Sequence, residues 1–189
     1  YDSQGKSNPV KYTHGSHTLE IVWTILPAAT LLFIAIYQMN AWADVKMHKP
    51  DMLPTVEVTA RQFEWRLRYP GKDGKIGTED DLFHVNELHV PVDEMTLVKL
   101  DSADVLHDFF LPHMRIKQDA VPGTSIPVWF KPTQSGEYDL VCAELCGWGH
   151  YKMKGRLFVE SRSDYERFLA ELEKTQTATN VEKKAEAEE

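Results

Sequence analysis

Residues 137–160 read EYDLVCAELCGWGHYKMKGRLFVE and contain two predicted strands joined by a loop. The segments 137–142 and 155–160 are rich in β-branched and aromatic residues, which favours strands. Gly147 and Gly149 lie between them and permit a tightly turned loop in place of a helix. Such a loop can fold several side chains around one point.

Further strand candidates precede this pair, and turn signals separate them at intervals of mostly about 8–15 residues. They are 56–69, 82–90, 96–102, 105–111 and 126–131. Because no helix-length periodic segment interrupts them, residues 55–162 are predicted to form an antiparallel sandwich or barrel. The turn-rich insertion at 72–81 lacks the spacing of an EF-hand calcium loop, so we interpret it as a solvated hairpin.

An apolar stretch near the N-terminus, IVWTILPAATLLFIAIYQMNAWA at 21–43, contains no charged residue. At ~1.5 Å per residue it reaches ~34 Å, which is enough to cross a hydrocarbon core of ~30 Å. The alternatives are a buried core helix or a signal peptide, but no small-residue cleavage site follows. We therefore predict a transmembrane helix at 20–43, between a polar segment at 1–19 and a linker at 44–54.

The C-terminal residues divide into a helix and a tail. Residues 163–174 are predicted to be helical, with Ser163 and Glu166 forming a capping box. Residues 175–189 consist mainly of Glu, Lys, Ala and Thr, and we predict a disordered acidic tail there.

The charge of the 189-residue chain excludes one class of partner. Lys and Arg number 21 against 29 Asp and Glu, which gives −8. An acidic balance argues against binding nucleic acid, whose phosphates need Lys and Arg. It suits a basic protein partner or plain solubility. Two cysteines are too few for a disulfide-stapled scaffold.

The loop between the predicted strands at 137–142 and 155–160 holds a concentrated set of metal donors. Cys142, Cys146, His150 and Met153 fall within twelve residues. Zinc sites usually take Cys and His alone, whereas thiolate, imidazole and thioether together select copper. A second cysteine permits both sulfurs to bridge two coppers, and the second copper then needs another imidazole. His107, in a preceding strand, is the candidate.

Other interpretations of these residues remain open at this point. In an oxidising compartment the two cysteines could form a disulfide. The remaining histidines of the β domain, His84, His89 and His113, are predicted to be surface or rim residues.

Three segments together resemble subunit II of the haem–copper cytochrome c oxidases. They are LEIVWTILPA in the apolar stretch, HDFFLPHMRIKQDAVPG from residue 107, and CAELCGWGHYKM from residue 142. The resemblance covers the chain from about residue 12 onward. It implies a cupredoxin-like Greek-key β-barrel that follows one transmembrane helix and carries a binuclear copper A (CuA) centre.

The resemblance also implies a ligand set for two copper ions. It comprises two bridging thiolates, one imidazole for each copper, a weak thioether and a backbone carbonyl: Cys142, Cys146, His107, His150, Met153 and Glu144. The Glu144 side chain would face subunit I and help to bind a magnesium ion there.

By the same resemblance, the chain is the electron-accepting subunit of a cytochrome c oxidase. Copper A would take electrons from cytochrome c and pass them to the haem of subunit I, where oxygen is reduced to water with proton translocation. No catalytic residue for oxygen chemistry is expected in this chain. The expected partners are subunits I and III, cytochrome c and membrane lipid. The expected location is a bacterial inner membrane with the copper domain on the periplasmic side. The mitochondrial inner membrane is the alternative.

Several further residues take expected roles from the resemblance. Glu20 matches a glutamate at the mouth of a proton channel, although a membrane-border charge is the simpler interpretation. Phe63 stands where many relatives accept electrons through a tryptophan. Trp65 is the second candidate, although packing in the core is its simpler interpretation. Four apolar residues would exclude solvent from the copper site: Phe109, Phe110, Leu145 and Trp148. Four acids could dock a basic cytochrome: Asp101, Asp104, Glu137 and Asp139.

The sequence departs from the family pattern in two respects, and alternatives exist. The family usually has two membrane helices, of which this sequence shows one, and it contains no CxxCH motif for a fused cytochrome c domain. A membrane-anchored copper chaperone or storage protein is the alternative function. A CuA domain of the nitrous oxide reductase type would be soluble, and a quinol oxidase subunit would lack the copper ligands.

Overall fold

A computed structural model describes Tyr12 and residues 14–186, and it divides the chain into a helical unit up to His48 and a β unit from Lys49. The helical unit contains α1 (His17–Tyr37) and α2 (Met39–Lys46). Within the described residues, α1 alone is long and apolar enough to cross a membrane. Its 21 residues span about 31 Å at ~1.5 Å each.

The boundaries of these helices differ from the predicted span at 20–43. The Ser16 hydroxyl caps α1 by accepting the Leu19 N–H at 3.5 Å, so the helix begins at His17. Helical structure is interrupted at Gln38 and then continues to Lys46. No proline or glycine occurs between Pro27 and Pro50 to end it earlier, and the predicted linker is correspondingly shorter. Of the predicted polar segment, residues 1–11 and 13 lie outside the described residues.

The β unit consists of two five-stranded sheets within the described residues. The first has the order β3 (Leu82–Val85), β2 (Glu64–Tyr69), β1 (Val56–Arg61), β5 (Thr96–Ser102), β8 (Ile126–Phe130). The second has the order β4 (Glu87–Pro91), β10 (Lys154–Glu160), β9 (Gly136–Cys142), β6 (His107–Leu111), β7 (Ile116–Ala120). A mainly β, cupredoxin-like domain after an N-terminal apolar helix is therefore confirmed.

The predicted all-antiparallel arrangement is wrong for two strand pairs. β1 pairs in parallel with β5, with Val58 opposite Leu100, and β10 pairs in parallel with β4. Parallel pairs need long crossover connections. Here those connections contain other strands, so no local sequence signal shows which strands pair in parallel. β7 was not predicted, because its sequence IKQDA is polar; it is held at the sheet edge by backbone pairing with β6.

The core lies between the two sheets and follows the two-residue period of the strands. In β2, Trp65, Leu67 and Tyr69 are buried, whereas Arg66 is exposed and Arg68 is half-buried. Alternate residues of a strand point to opposite faces, so the three apolar side chains share one face. Other large buried core residues are Leu88, Leu97, Leu100, Phe109, Leu111, Leu140 and Leu157.

The C-terminal helix α3 (Arg162–Glu186) is longer than predicted and is capped differently. Ser161, not Ser163, provides the cap: its hydroxyl accepts the Asp164 N–H at 3.2 Å. Helical structure continues through residues 175–186, where the sequence predicts a disordered tail; this stretch contains the strong helix formers Ala, Glu and Lys. The last residues of the tail, 187–189, lie outside the described part of the chain.

Candidate metal centre

Strand register brings the predicted donors to one end of the second sheet. His107 is the first residue of β6 and Cys142 the last residue of β9, and these strands are neighbours, with Phe109 opposite Cys142. Cys146 and His150 follow in the loop from β9 to β10, and Met153 immediately precedes β10. The structure therefore brings together residues that are up to 46 positions apart (153 − 107).

The two cysteines lie side by side as free thiols. Their Sγ atoms are 3.8 Å apart, far longer than the ~2.05 Å of a disulfide bond. The two cysteines therefore do not form a disulfide in this structure. Two sulfurs on one metal, each at ~2.3 Å, can be separated by at most ~4.6 Å, so the spacing fits a shared metal.

Each thiol faces its own imidazole. The Nδ1 atom of His107 lies 3.9 Å from the Cys142 Sγ, and the Nδ1 atom of His150 lies 3.7 Å from the Cys146 Sγ. The site is consequently two Cys–His pairs placed next to each other. One nitrogen of His107 and both sulfurs lie within 4.8 Å of one another.

Each pair also has one weaker donor. The Met153 Sδ lies 3.7 Å from the Cys146 Sγ, and the Glu144 carbonyl oxygen lies 3.2 Å from the Cys142 Sγ. Together the six donors divide evenly between the two thiols. The centre is shielded from water, since His107 is fully buried and Met153 and Cys146 are 2% and 3% exposed.

A carboxylate that the sequence analysis assigned elsewhere orients His107. The Asp104 Oδ1 lies 2.8 Å from the His107 Nε2, and Asp104 also accepts the backbone N–H of Gln62 at 2.8 Å. A carboxylate on Nε2 fixes the orientation of the ring and directs Nδ1 at Cys142. Asp104 therefore positions the imidazole and is not a free docking acid. An aspartate three residues before a candidate ligand histidine was the available signal.

The turn between β1 and β2 supports the donor loop, and the sequence analysis did not predict this support. The Gln62 side chain donates to the Cys146 carbonyl at 2.5 Å. Gly149 lies flat against Phe63: a Cβ at Gly149 would be 2.5 Å from the ring carbon Cδ2. Gly147 has a φ of 138°, a conformation that side chains disfavour. Both glycines are thus required by the loop.

The pKa values of the two thiols are shifted in opposite directions. Burial opposes ionisation of Cys142, but hydrogen bonds with His107 and with the backbone of Asp108 and Glu144 lower the pKa of its thiol to about 6. Burial and the neighbouring Cys142 raise the pKa of the Cys146 thiol to about 11. A metal held by both sulfurs would therefore have to displace the proton of Cys146 at neutral pH.

The aromatic residues near the centre separate into a buried and an exposed group. Trp65 is fully buried, and its ring contacts the rings of Phe109 (5.6 Å) and His107 (6.4 Å). Phe63 is partly buried and makes an edge contact of 5.4 Å with Trp148, which is 81% exposed. Trp65 consequently cannot contact a partner directly, whereas Trp148 can.

The predicted solvent-excluding shell is correct for only half of its members. Phe109 is fully buried and Phe110 half-buried, but Leu145 and Trp148 are exposed. The donor loop turns these two side chains outward because its inner side is filled by the sulfurs and by Phe63.

Two other groups of predicted residues differ from expectation. Glu137 and Asp139 form ion pairs with Arg156, at 3.2 and 2.5 Å, which neutralise part of the predicted acidic surface. His113 is exposed, as predicted, but His89 is buried, which corrects its prediction as a surface or rim residue.

Comparisons with known proteins agree with this architecture. Residues 37–160 match the model of the family described as cytochrome c oxidase subunit II, periplasmic domain, and residues 1–41 match its transmembrane domain. The chain belongs to the cytochrome c oxidase subunit II family. The resemblance found in the sequence is thereby confirmed, and the chain contains the family's membrane-anchoring domain.

Individual subunit II relatives differ in how much of this chain they match. The alternative cytochrome c oxidase subunit 2 of Bradyrhizobium diazoefficiens is 39% identical over 60% of this chain and 49% of the relative. Cytochrome c oxidase subunit 2 of Alkalihalophilus pseudofirmus is 31% identical over 90% of this chain and 50% of the relative. The chain thus spans about half the length of these curated relatives.

A solved structure shares the fold of the β unit. The crystal structure of the periplasmic domain of subunit II of the Bradyrhizobium japonicum cytochrome oxidase matches with a TM-score of 0.59 and 28% identity. The match covers 67% of this chain and 97% of that one.

Proposed function

We propose that this chain is the electron-accepting subunit of a haem–copper terminal oxidase, receiving electrons from cytochrome c for the haem of subunit I. The observation that carries the proposal is the pair of thiols 3.8 Å apart, each facing its own imidazole. A binuclear copper centre bound there would supply a one-electron relay. Oxygen reduction and proton translocation would take place in the partner subunits.

In this proposal the six donors would hold two copper ions. The thiolates of Cys142 and Cys146 would be shared between them, and His107 and His150 would each supply an imidazole. The thioether of Met153 and the carbonyl of Glu144 would be the weaker donors. The mixed soft and borderline donor set supports copper over zinc.

The protein's contribution is to hold these donors in fixed positions. His107 and Cys142 belong to neighbouring strands, Asp104 orients one imidazole, and Gln62 and Phe63 brace the loop. Because ligands on rigid strands move little when charge changes, this arrangement suits electron transfer. A chaperone that must release its metal would need more open and flexible ligands, so the alternative is less well supported.

We assign the contact with the electron donor to the exposed face of the ligand loop. Trp148 lies on this face against Phe63, in the region where sequence analysis expected electrons to be accepted. We further propose that the exposed Glu144 side chain meets subunit I and shares a magnesium ion with it. Glu20 is proposed at the mouth of a proton channel; it also lies in the first turn of α1, where a carboxylate is favoured.

We also propose a bacterial inner membrane as the location, with the β unit on the periplasmic side. The bacterial source of the relatives supports the location, and the name of the matched family domain supports the orientation.

Electron paramagnetic resonance with copper counting on the full chain in detergent tests the proposal. Two coppers per chain and hyperfine structure from one electron shared between them are expected. A one-copper spectrum, or a chain that binds no copper, would contradict the proposed function.

A further inference from the structure

A second cluster of metal-ligating side chains lies away from the thiolate centre. His84 is in β3, and Glu87 and His89 are in β4, on either side of a tight turn. β3 is the edge strand of the first sheet and β4 is the edge strand of the second. The cluster therefore bridges the edges of the two sheets.

The three side chains converge closely enough for a single ion. One ligand atom from each lies within 4.8 Å of the others. The His84 Nε2 is 3.1 Å from the Glu87 carboxylate, and the rings of His84 and His89 are 6.0 Å apart. They line a cavity of about 320 Å³, which Glu171 also lines.

His89 presents a buried nitrogen that lacks a partner among the described residues. Its side chain is only 10% exposed, and its Nδ1 lies 3.0 Å from a Glu160 carboxylate oxygen. Because a carboxylate only accepts, Nδ1 carries the proton and Nε2 keeps a lone pair. That Nε2 is buried and makes no hydrogen bond. An unsatisfied buried acceptor is costly, and because His89 lines the cavity, a ligand bound there would relieve that cost.

The position of this nitrogen is fixed by stacking. The His89 ring lies between those of Phe168 and Phe158, with centroid distances of 3.7 and 4.5 Å and nearly parallel planes. A carboxylate behind one nitrogen and a metal before the other is the usual arrangement of a metal-bound histidine. Burial lowers the pKa of His89, which favours the neutral imidazole that a metal requires.

We propose that His84, Glu87 and His89 form a second metal site, which binds a zinc-class divalent ion with water in the fourth position. Two imidazoles and one carboxylate with an open position are a known zinc ligand set. Calcium and magnesium prefer oxygen ligands, and the cluster has no thiolate to select copper(I). The site is independent of the proposed electron transfer.

Its consequence is mechanical. An ion held by His84 and Glu87 would clip the edge strands of the two sheets together. Phe168 of α3 stacks on His89, so the same ion would also secure the C-terminal helix. Because the unfolded chain lacks the assembled site, zinc binding stabilises the folded protein.

The test uses the full chain in detergent, loaded with copper so that the thiolates are occupied. Zinc is then titrated while bound metals are counted and the melting temperature is recorded. One zinc per chain in addition to copper, with a rise in melting temperature, is expected. His84→Ala and Glu87→Gln should each weaken zinc binding at least about 10-fold and abolish the temperature shift. Both residues are partly or fully exposed, so these variants should fold.

His113→Ala is the matched control, since it removes an exposed histidine outside the cluster and should change neither reading. Equal zinc binding by the wild type, His84→Ala and His113→Ala would overturn the proposal, as would the absence of zinc binding. Copper content is read separately, so failure of the copper centre and failure of the zinc site are distinguishable.

Discussion

At the scale of single residues, the centre depends on two kinds of residue: those that supply the donors, and Asp104 and Gln62, which hold two of the donors in place. Four of the five side-chain donors could be predicted together because they fall within residues 142–153, and the strand containing His107 supplied the fifth. The supporting residues could not be found in this way. Gln62 reaches the Cys146 carbonyl from 84 positions earlier in the chain. Asp104 lies only three residues before His107, but that spacing alone does not show that its carboxylate turns toward the imidazole.

The bridging role of the thiols can be tested at Cys146. Cys146→Ser removes one of the two sulfurs that both metals would share, and a hydroxyl is a poor ligand for soft copper. We expect at most one copper per chain and loss of the shared-electron hyperfine pattern in electron paramagnetic resonance. Met153→Leu, which removes only a weak donor, should keep two coppers. Two electronically coupled coppers in Cys146→Ser would refute the bridging assignment.

The positioning role of Asp104 predicts a smaller effect. Asp104→Asn weakens the interaction that holds His107, and losses of this kind typically cost ~10- to 100-fold in metal affinity. A competition titration with a copper chelator measures this loss, while the spectrum of the loaded centre should remain binuclear. Asp101→Asn is the control, because Asp101 contacts only the neighbouring Ser102 N–H among the interactions described. Equal affinities of the two variants would show that Asp104 does not position the ligand.

At the scale of elements, strand alternation located most strands but not their partners. In β2 the alternation of Trp65, Leu67 and Tyr69 with arginines is visible in the sequence, whereas the parallel pairing of β1 with β5 depends on distant segments. β7 has a polar sequence, and its register with β6 alone defines it. The burial of His89 also depends on α3, which supplies the stacking Phe168.

The contact between the donor loop and the β1–β2 turn predicts a packing effect at Gly149. Its φ is −89°, which alanine tolerates, so Gly149→Ala tests the contact with Phe63 and not the backbone conformation. Overpacking of this kind costs ~1–3 kcal/mol. Urea unfolding should show a lower free energy of unfolding. Adding Phe63→Ala should remove most of the additional cost; strictly additive effects would show that the two residues do not interact.

At the scale of the whole molecule, the buried His89 couples stability to pH. Burial lowers its pKa below the ordinary 6.5, against the raising effect of Glu160 and with a smaller lowering effect of His84. Well above pH 6.5 the residue is neutral in both states. As pH falls below 6.5 the unfolded chain gains a proton that the folded chain resists, so the free energy of unfolding decreases.

Urea unfolding with a chelator between pH 7.5 and 5 tests this coupling. His89→Phe keeps a ring between Phe158 and Phe168 and removes the titrating group, so its stability should fall less steeply with acidification. His113→Phe, at an exposed position, should retain the wild-type slope. Identical slopes for wild type and His89→Phe would contradict the coupling.

The orientation of the molecule toward its electron donor gives a final prediction, which rests on the proposed function. Trp148 is 81% exposed and contacts Phe63, which packs against the ligand loop. Exposed aromatic residues of this kind frequently dominate the binding energy of protein interfaces. Trp148→Ala should slow reduction of the copper-loaded chain by reduced cytochrome c at least about 10-fold, as a loss above ~1.4 kcal/mol implies. Copper content and spectrum should be unchanged, since Trp148 holds no metal.

Phe83→Ala removes an exposed aromatic from β3, outside the copper centre, and should react at the wild-type rate in stopped-flow absorbance measurements. An unchanged rate in Trp148→Ala would place the donor on another face of the domain.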